Sequence, residues 1–171
     1  VLDVVGGTRR AVQPPLPAPL PMKPEHLDVI RKAMIGVNLE GTSSAAFRGA
    51  TYTSGGKTGT AQVVGIKQNE KYNAAKMAEH LRDHALFVAF APADAPTIAL
   101  AMVVENAGFG GVAAAPIARR VFDYQLLGQW PSEEDIAATR EARSTVPTGA
   151  ARRAAEVAIP GLAASQAVAA P

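Results

Sequence analysis

The spacing of apolar residues predicts an amphipathic helix in the first quarter of this chain. Within residues 24–37 they recur three and four positions apart, at Leu27, Ile30, Met34 and Val37. That period places all four on one side of an α-helix. Pro24 suits a first helical position, because its missing N–H would have no partner there in any helix. The pattern therefore predicts a helix over residues 24–37 with one face packed against a core.

Three apolar or β-branched segments predict the strands of a central sheet. They span residues 53–65, 85–91 and 97–104, and a turn-forming ADAP sequence separates the last two. Such a turn between two apolar runs is typical of a β-hairpin. Because both runs are almost wholly apolar, we expect an antiparallel pair whose two strands are largely buried.

Four further patterns complete the predicted fold. They are a strand at residues 1–5, a short helix at 43–48, a helix in the second half of 67–83, and a helix over 113–127 that ends at Gly128. Glycine is common just after a helix, because it adopts the left-handed conformation without a Cβ clash. A central antiparallel sheet covered by the last helix defines an α+β fold.

Composition divides the chain at Trp130. All aromatic residues lie at or before it, whereas residues 131–171 are rich in Ala, Arg, Pro, Gly and Ser. A segment without large apolar side chains cannot bury enough surface to offset its chain entropy. We therefore expect residues 1–130 to form the folded domain and residues 131–171 to form a disordered tail, with a helical turn or two at 131–140.

A second unusual segment, residues 13–21, reads QPPLPAPLP. Five prolines remove backbone donors and fix φ, which excludes a helix or a central strand. The segment is expected to be an extended surface connector. The alternative is a polyproline ligand for an SH3-like partner.

Charge and composition exclude several kinds of function. The net charge of +2 is spread along the chain without a basic block, which argues against nucleic-acid binding. The absence of Cys excludes disulfides and thiolate metal sites. No run of 18 apolar residues is present to span a bilayer. Because the sequence opens on VLDVV without Met, we expect it to be part of a longer protein.

Residues 54–61 (SGGKTGTA) hold the candidate chemistry, and three interpretations compete. A phosphate-binding loop requires glycine where Thr51 stands, and a helix where strand-like residues follow. A Ser-x-x-Lys nucleophile pair matches Ser54 and Lys57 literally. Residues three apart on a strand face opposite sides, however, and two intervening glycines disfavour a helix. We therefore reject Ser54 as a nucleophile.

The third interpretation is a Lys-Thr-Gly motif of the kind used by serine acyltransferases. Lys57 supplies a cation for a substrate carboxylate, and Thr58 and Thr60 supply hydroxyls beside it. Gly59 leaves the strand open to close approach. The N–H of Thr60 can donate to an acyl oxygen. A three-residue motif recurs by chance, so the alternative is a glycine-rich edge strand with an incidental lysine.

Longer segments place this motif in a context. They are GVNLEGTSSAAF, KTGTAQVVG, KYNAAKMAEHLRDHALFVAFAP and IALAMVVENAGFGG. Together they resemble the C-terminal part of the transpeptidase domain of the penicillin-binding protein 2 family. These are the class B, elongation-type peptidoglycan transpeptidases of Gram-negative bacteria. The resemblance covers roughly residues 1–130 and implies the penicillin-binding, serine β-lactamase-like fold.

The resemblance assigns roles to the residues that match it. Lys57, Thr58 and Gly59 take the places of the family's catalytic Lys-Thr-Gly motif. Lys57, Thr58 and Thr60 would contact substrate, and the backbone N–H of Thr60 would form half of the oxyanion hole. The family's Ser-x-x-Lys and Ser-x-Asn motifs have no acceptable match here. No nucleophile is therefore expected in this chain, and the isolated chain is expected to be inactive.

The resemblance also implies the reaction and its setting. The parent protein would cross-link stem peptides ending in D-Ala-D-Ala through an acyl-serine, bind β-lactams and need no cofactor. It would act at the periplasmic face of the inner membrane, beside an elongation-complex glycosyltransferase and without nucleic acid. Two alternatives stay open. One is a fragment of a β-lactamase or D,D-carboxypeptidase, and the other is a non-catalytic peptidoglycan- or partner-binding module.

Two minor candidates involve histidine and asparagine. His80 and His84 are four residues apart, with Glu79 and Asp83 as the nearest further ligands. We expect surface histidines there, and no metal site. Asn106 follows an apolar strand, where it would line the site rim or form a turn.

Overall fold

The computed structural model describes residues 2–5, 8–11, 15–16, 18–65, 72–141, 143 and 145–157. The helices of these residues are α1 (Pro24–Leu39), α2 (Ser44–Phe47), α3 (Gly110–Ala113), α4 (Ala115–Leu127) and α5 (Glu133–Arg140). The strands are β1 (Leu2–Val5), β2 (Thr8–Ala11), β3 (Gly55–Ala61), β4 (His84–Ala91), β5 (Ile98–Val104), β6 (Gln129–Trp130) and β7 (Arg152–Arg153). Single 3-10 turns lie at Ala74–Lys76, Glu79–Leu81 and Ala154–Glu156.

Strands β3, β4 and β5 form an antiparallel sheet in that order, which confirms the central sheet predicted from the sequence. Gly55 lies opposite Phe90 and Ala61 lies opposite His84. β4 is therefore the middle strand, and β3 has one strand neighbour within the described part of the chain. β1 and β2 pair separately as a hairpin, of which the sequence predicted only the first strand.

One face of this sheet packs against α2 and α4, and we call it the helix-covered face. Its central side chain is Phe87 of β4, which is fully buried. The ring of Phe47 on α2 lies 6.0 Å from that of Phe87 and 6.2 Å from that of Phe122 on α4, measured between centroids. Small residues complete this core: Ala46, Ala85, Ala89, Ala91, Ala114, Ala115 and Ala118. The predicted helix over the sheet is thereby confirmed, and the fold is α+β.

The opposite face of the sheet carries Lys57, Leu86, Val88, Phe90 and Val103, and we call it the open face. The exposed fraction is 43% for Val88 and 60% for Val103. The prediction that both hairpin strands are largely buried is therefore wrong for this face. The side chains of the open face are exposed because α2 and α4 cover only the other side of the sheet.

Helix α1 confirms the helix predicted over residues 24–37 and extends it to Leu39. Its apolar face is only partly covered, since Ile30 is 46% exposed. A polar contact attaches the helix to the sheet instead. Arg31 donates from Nε to the carbonyl oxygen of Ala93, just beyond β4, at 2.9 Å.

The helix predicted in the second half of residues 67–83 is wrong for the described residues 72–83. They form two separate 3-10 turns. Local side-chain bonds compete with a continuous helix there. Asn73 accepts a hydrogen bond from the N–H of Ala75, and the N–H of Asp83 donates to the hydroxyl of Tyr72 at 3.0 Å.

The described part of the expected tail includes α5, which confirms the helical turn or two predicted at residues 131–140, and β7, which pairs with β6. Its anchor is polar rather than apolar. Asp135 of α5 is fully buried and accepts two hydrogen bonds from Arg120 of α4 at 2.6 and 2.8 Å. Ser132 caps α5 by accepting from the N–H of Asp135. Residues 158–171 lie outside the described residues.

A glycine-to-alanine change on β3 tests how tightly the helix-covered face is packed. A Cβ at Gly56 would lie 2.6 Å from the ring of Phe87 and 2.9 Å from Oδ1 of Asn38, and both side chains are buried. We expect Gly56→Ala to lower the free energy of unfolding of the full-length parent protein by about 1–3 kcal/mol. Chemical denaturation of both proteins measures this difference.

Gly65→Ala is the matched control, because a Cβ there meets nothing within 4 Å. An equal loss of stability in the two variants would contradict the predicted clash. So would a Gly56→Ala protein as stable as the wild type.

Candidate active site

The Lys-Thr-Gly residues lie on β3, at the edge of the described sheet. Because side chains alternate along a strand, Lys57 and Gly59 belong to the open face. Thr58 and Thr60 belong to the helix-covered face, since they lie opposite the core residues Phe87 and Ala85. The four predicted site residues are thus brought together along one exposed edge, with the cation and the hydroxyls on alternate sides of it.

The ammonium group of Lys57 lies at the surface. Its Nζ donates to the carbonyl oxygen of Thr58 at 2.5 Å. Within the described part of the chain, no carboxylate forms an ion pair with it. The charge is therefore not neutralised by these residues, and it is available to an anionic group that approaches the edge of β3.

The two threonine hydroxyls have different surroundings. The Oγ1 of Thr58 lies 2.8 Å from the Oγ1 of Thr42, in the turn between α1 and α2. Thr60 is exposed, and its hydroxyl has no hydrogen-bond partner among the described residues. Thr42 was not singled out by its sequence, because the GTSS turn carries no signal of a partner on β3.

Backbone groups add a second set of donors along the same strand. The N–H groups of successive residues in a strand point to opposite sides. The N–H groups of Thr58 and Thr60 therefore point to one side of β3, and those of Lys57 and Gly59 to the other. One of the two sets bonds to β4 and the other points away from it.

Helix α3 begins directly against the backbone of the motif strand. A Cβ at Gly110 would lie 2.0 Å from the carbonyl oxygen of Leu86 and 2.8 Å from that of Gly59. A Cβ at Gly111 would lie 2.3 Å from the carbonyl oxygen of Thr42. Only glycine allows backbones to approach this closely. The Gly110-Gly111 pair is therefore a close contact of α3 with the motif strand and with the turn that holds Thr42.

A buried network of three polar side chains holds the start of β3. The Nδ2 of Asn38 donates to the Oγ of Ser54 at 2.8 Å, and the Oγ of Ser43 donates to the Oδ1 of Asn38 at 2.6 Å. All three residues are at most 4% exposed. Ser54 is thus a buried residue whose hydroxyl accepts a hydrogen bond from Asn38. The network links the end of α1 to the residue before β3.

A second buried cluster ties the approach to β3 to helix α4. Arg119 and Asp123, both on α4, form a buried ion pair with nitrogen–oxygen distances of 2.8 and 2.9 Å. The hydroxyl of Tyr52 donates to Asp123 at 2.8 Å. Burial, followed by this hydrogen bond, raises the pKa of Tyr52 well above its usual value. The phenol therefore stays protonated and remains a donor.

His84 and Asn106 take part in a local turn. The Nδ1 of His84 accepts a hydrogen bond from the N–H of Asn106 at 2.9 Å. Asn106 has a φ of 57°, a left-handed conformation that asparagine adopts more easily than most residues. It therefore has the turn role considered for it. The described residues include no group of three or more His, Cys, Asp or Glu able to hold a metal, and no helix with the length and apolar character to cross a bilayer.

The geometry thus places an exposed lysine on an edge strand of an α+β domain, followed by a glycine whose backbone lies against the start of α3. The model of the penicillin-binding protein transpeptidase domain matches residues 2–123 of this chain. The chain belongs to the penicillin-binding protein transpeptidase family.

Within this family, the chain is similar to the peptidoglycan D,D-transpeptidase MrdA of several bacteria. It is 49% identical to that of Haemophilus influenzae over 94 residues, which is 55% of this chain and 14% of the relative. It is 40% identical to the Escherichia coli K12 protein over 136 residues, which is 76% of this chain and 21% of the relative. The chain therefore spans about a fifth or less of the length of these relatives.

This chain is also similar to a solved structure of a penicillin-binding protein. The crystal structure of Pseudomonas aeruginosa PBP2 in complex with WCK 5153 matches with a TM-score of 0.53 and 35% sequence identity. The match covers 70% of this chain and 24% of the solved chain. The family, the fold class and the similarity to penicillin-binding protein 2 predicted from the sequence are thereby confirmed.

The contact between α3 and the motif strand can be tested at Gly110. In Gly110→Ala the Cβ would meet the backbone of β3 and β4, which cannot move aside cheaply. We expect the parent protein to lose about 1–3 kcal/mol of unfolding free energy. We also expect slower acylation by a fluorescent penicillin, since β3 would shift. Denaturation and gel fluorescence measure the two effects.

Gly36→Ala on α1 is the control for Gly110→Ala. A Cβ there meets only Oε1 of Glu40, at 3.9 Å. An alanine inside a helix is expected to stabilise by about 0.5–1 kcal/mol relative to glycine. A Gly110→Ala protein that keeps both its stability and its acylation rate would refute the close contact.

Proposed function

We propose that this chain supplies the Lys-Thr-Gly strand of a serine-type peptidoglycan D,D-transpeptidase. The observation that carries the proposal is the placement of Lys57 on an exposed strand edge, next to Thr58 and to a glycine packed against α3. Membership of the transpeptidase family and similarity to MrdA proteins support it.

The proposed reaction has two acyl transfers. A serine of the parent protein, outside this chain, attacks the carbonyl carbon between the two terminal D-alanines of a donor stem peptide. The peptide bond breaks, an acyl-serine forms, and D-alanine leaves with the serine's proton on its amine. The amine of an acceptor stem peptide then attacks the acyl-serine, which releases the serine and leaves a new amide cross-link. A β-lactam enters the first step only and remains on the serine.

Each motif residue has a proposed part in this reaction. Lys57 provides positive charge beside the reacting serine and the terminal carboxylate of the substrate. The hydroxyls of Thr58 and Thr60 donate hydrogen bonds to that carboxylate. The N–H of Thr60 completes the oxyanion hole with the N–H of the nucleophile, which requires that the Thr58 and Thr60 set of N–H groups points away from β4.

The open face of the sheet has a place in this proposal. It bears the exposed side chains of Val88 and Val103 beside Lys57. Removing exposed apolar surface of this kind from water has a favourable free energy. We propose that the part of the parent protein that carries the nucleophile covers this face and so brings the serine to the lysine. The parent would act at the periplasmic face of the inner membrane, together with a glycosyltransferase of the elongation complex.

Replacement of Lys57 tests the proposed role of the motif. We expect Lys57→Ala in the full-length parent protein to slow acylation by a fluorescent penicillin about 100-fold or more, because a charge aimed at the reacting groups is lost. The second-order rate constant of adduct formation is the measurement. Lys76→Ala, which removes another exposed lysine, is the control and should react at the wild-type rate. Equal rates for Lys57→Ala and the wild type would refute the role.

The isolated chain provides an independent test. With no nucleophile expected within residues 1–171, we predict that it forms no covalent adduct with a fluorescent penicillin. The full-length parent protein, treated in parallel, should be labelled. A stable acyl adduct on the isolated chain, located by mass spectrometry, would overturn the expectation that the serine lies elsewhere.

A further inference from the structure

We propose that Thr42 is a positioning residue, which aims the hydroxyl of Thr58 at the substrate carboxylate. The inference rests on the proposed function, in which Thr58 donates to that carboxylate. Its structural basis is the hydrogen bond between the two threonine hydroxyls, whose oxygens lie 2.8 Å apart. Thr42 lies 16 residues before Thr58 in the turn between α1 and α2, so the contact joins two distant parts of the sequence.

The position of Thr42 is fixed on both sides. Ser43, the next residue, is fully buried; its Oγ donates to the Oδ1 of Asn38 at 2.6 Å and lies 3.0 Å from the carbonyl oxygen of Val37. On the other side, the carbonyl oxygen of Thr42 lies so close to Gly111 that a Cβ there would be 2.3 Å away. A residue held by buried polar bonds and by a glycine contact presents its hydroxyl at a defined place.

The chemistry of the two groups decides the direction of the bond. A hydroxyl has one hydrogen to donate and two lone pairs to accept with, whereas a carboxylate can only accept. When Thr58 donates its single hydrogen to the carboxylate, it can no longer donate to Thr42. The hydroxyl of Thr42 must then donate to the Oγ1 of Thr58. The hydrogen bonds run from Thr42 to Thr58 to the carboxylate.

This direction gives Thr42 two effects on Thr58. It occupies a lone pair and so holds the Thr58 hydroxyl in one rotamer. It also polarises that hydroxyl, because hydrogen bonds in a chain strengthen one another. Thr60 has no partner of this kind among the described residues. The hydrogen bond from Thr42 therefore acts on Thr58 alone, and it should raise the acylation rate only for ligands that carry the carboxylate.

The test compares full-length parent protein and its variants in acylation by a penicillin and by the methyl ester of the same penicillin. Thr42→Val keeps the shape of the side chain and removes its hydroxyl. We expect the rate constant with the penicillin to fall about threefold to tenfold, the effect of one modest hydrogen bond. The rate constant with the ester should stay within about twofold of the wild type. Thr42→Ser, which restores a hydroxyl, should recover most of the lost rate.

Two further variants complete the experiment. Thr97→Val, an exposed threonine in the β4–β5 turn, is the matched control and should leave both rates unchanged. In a Thr58→Val background, Thr42→Val should have no further effect, because Thr42 acts only through Thr58. Thermal unfolding of each variant shows whether the fold is retained.

Several outcomes would overturn the inference, and they separate it from the proposed function. If Thr58→Val slows acylation by the penicillin but Thr42→Val does not, the positioning role is wrong and the function stands. If Thr42→Val slows both substrates equally, its role is structural. Additive effects of the two changes would equally exclude action through Thr58. A wild-type parent protein that the penicillin does not acylate would refute the proposed function, and this inference with it.

Discussion

The close approach of backbones around β3 is the constraint on which the rest of this structure depends. Gly56 leaves room for the ring of Phe87, and Gly110 lets α3 begin against the backbone of Leu86 and Gly59. A methyl group at either position would overlap its neighbour by far more than ordinary packing tolerates. Gly56 therefore lets β3 pack against the core, and Gly110 lets α3 lie against the same strand at Gly59.

Polar contacts hold the elements around the small apolar core in position. The residues around Phe87 and Phe122 are mostly alanines, which bury little area each. Buried polar groups hold the surrounding elements in position: the Asn38 network at the start of β3, and the Arg119–Asp123 pair that Tyr52 joins. Removing one partner of a buried ion pair leaves the other charge without compensation, which costs about 3–5 kcal/mol. These clusters consequently fix the geometry around the motif more strictly than the alanines do.

The elements with regular apolar patterns were the ones that could be predicted from the sequence. The runs that became β4 and β5, and the stripe that became α1, follow the periods of strand and helix. The motif residues were found because Lys57 and its neighbours match a known pattern. Thr42 and Gly110 were missed, since their roles arise from contacts with β3 that no local pattern encodes. The helix predicted before β4 does not form, because Asn73 and Tyr72 offer the backbone alternative hydrogen bonds.

The segment after Trp130 is attached to α4 by polar contacts. The match to the family model ends at Asp123, within α4, and the helix continues beyond it. The β6–β7 pair and α5 fold back on α4, where Arg120 bonds Asp135 through both carboxylate oxygens. A paired arginine and aspartate can order a segment that lacks aromatic residues, because a bidentate bond is strong and geometrically specific. α4 covers the sheet that carries β3, so this segment supports the candidate site from the far side of the core.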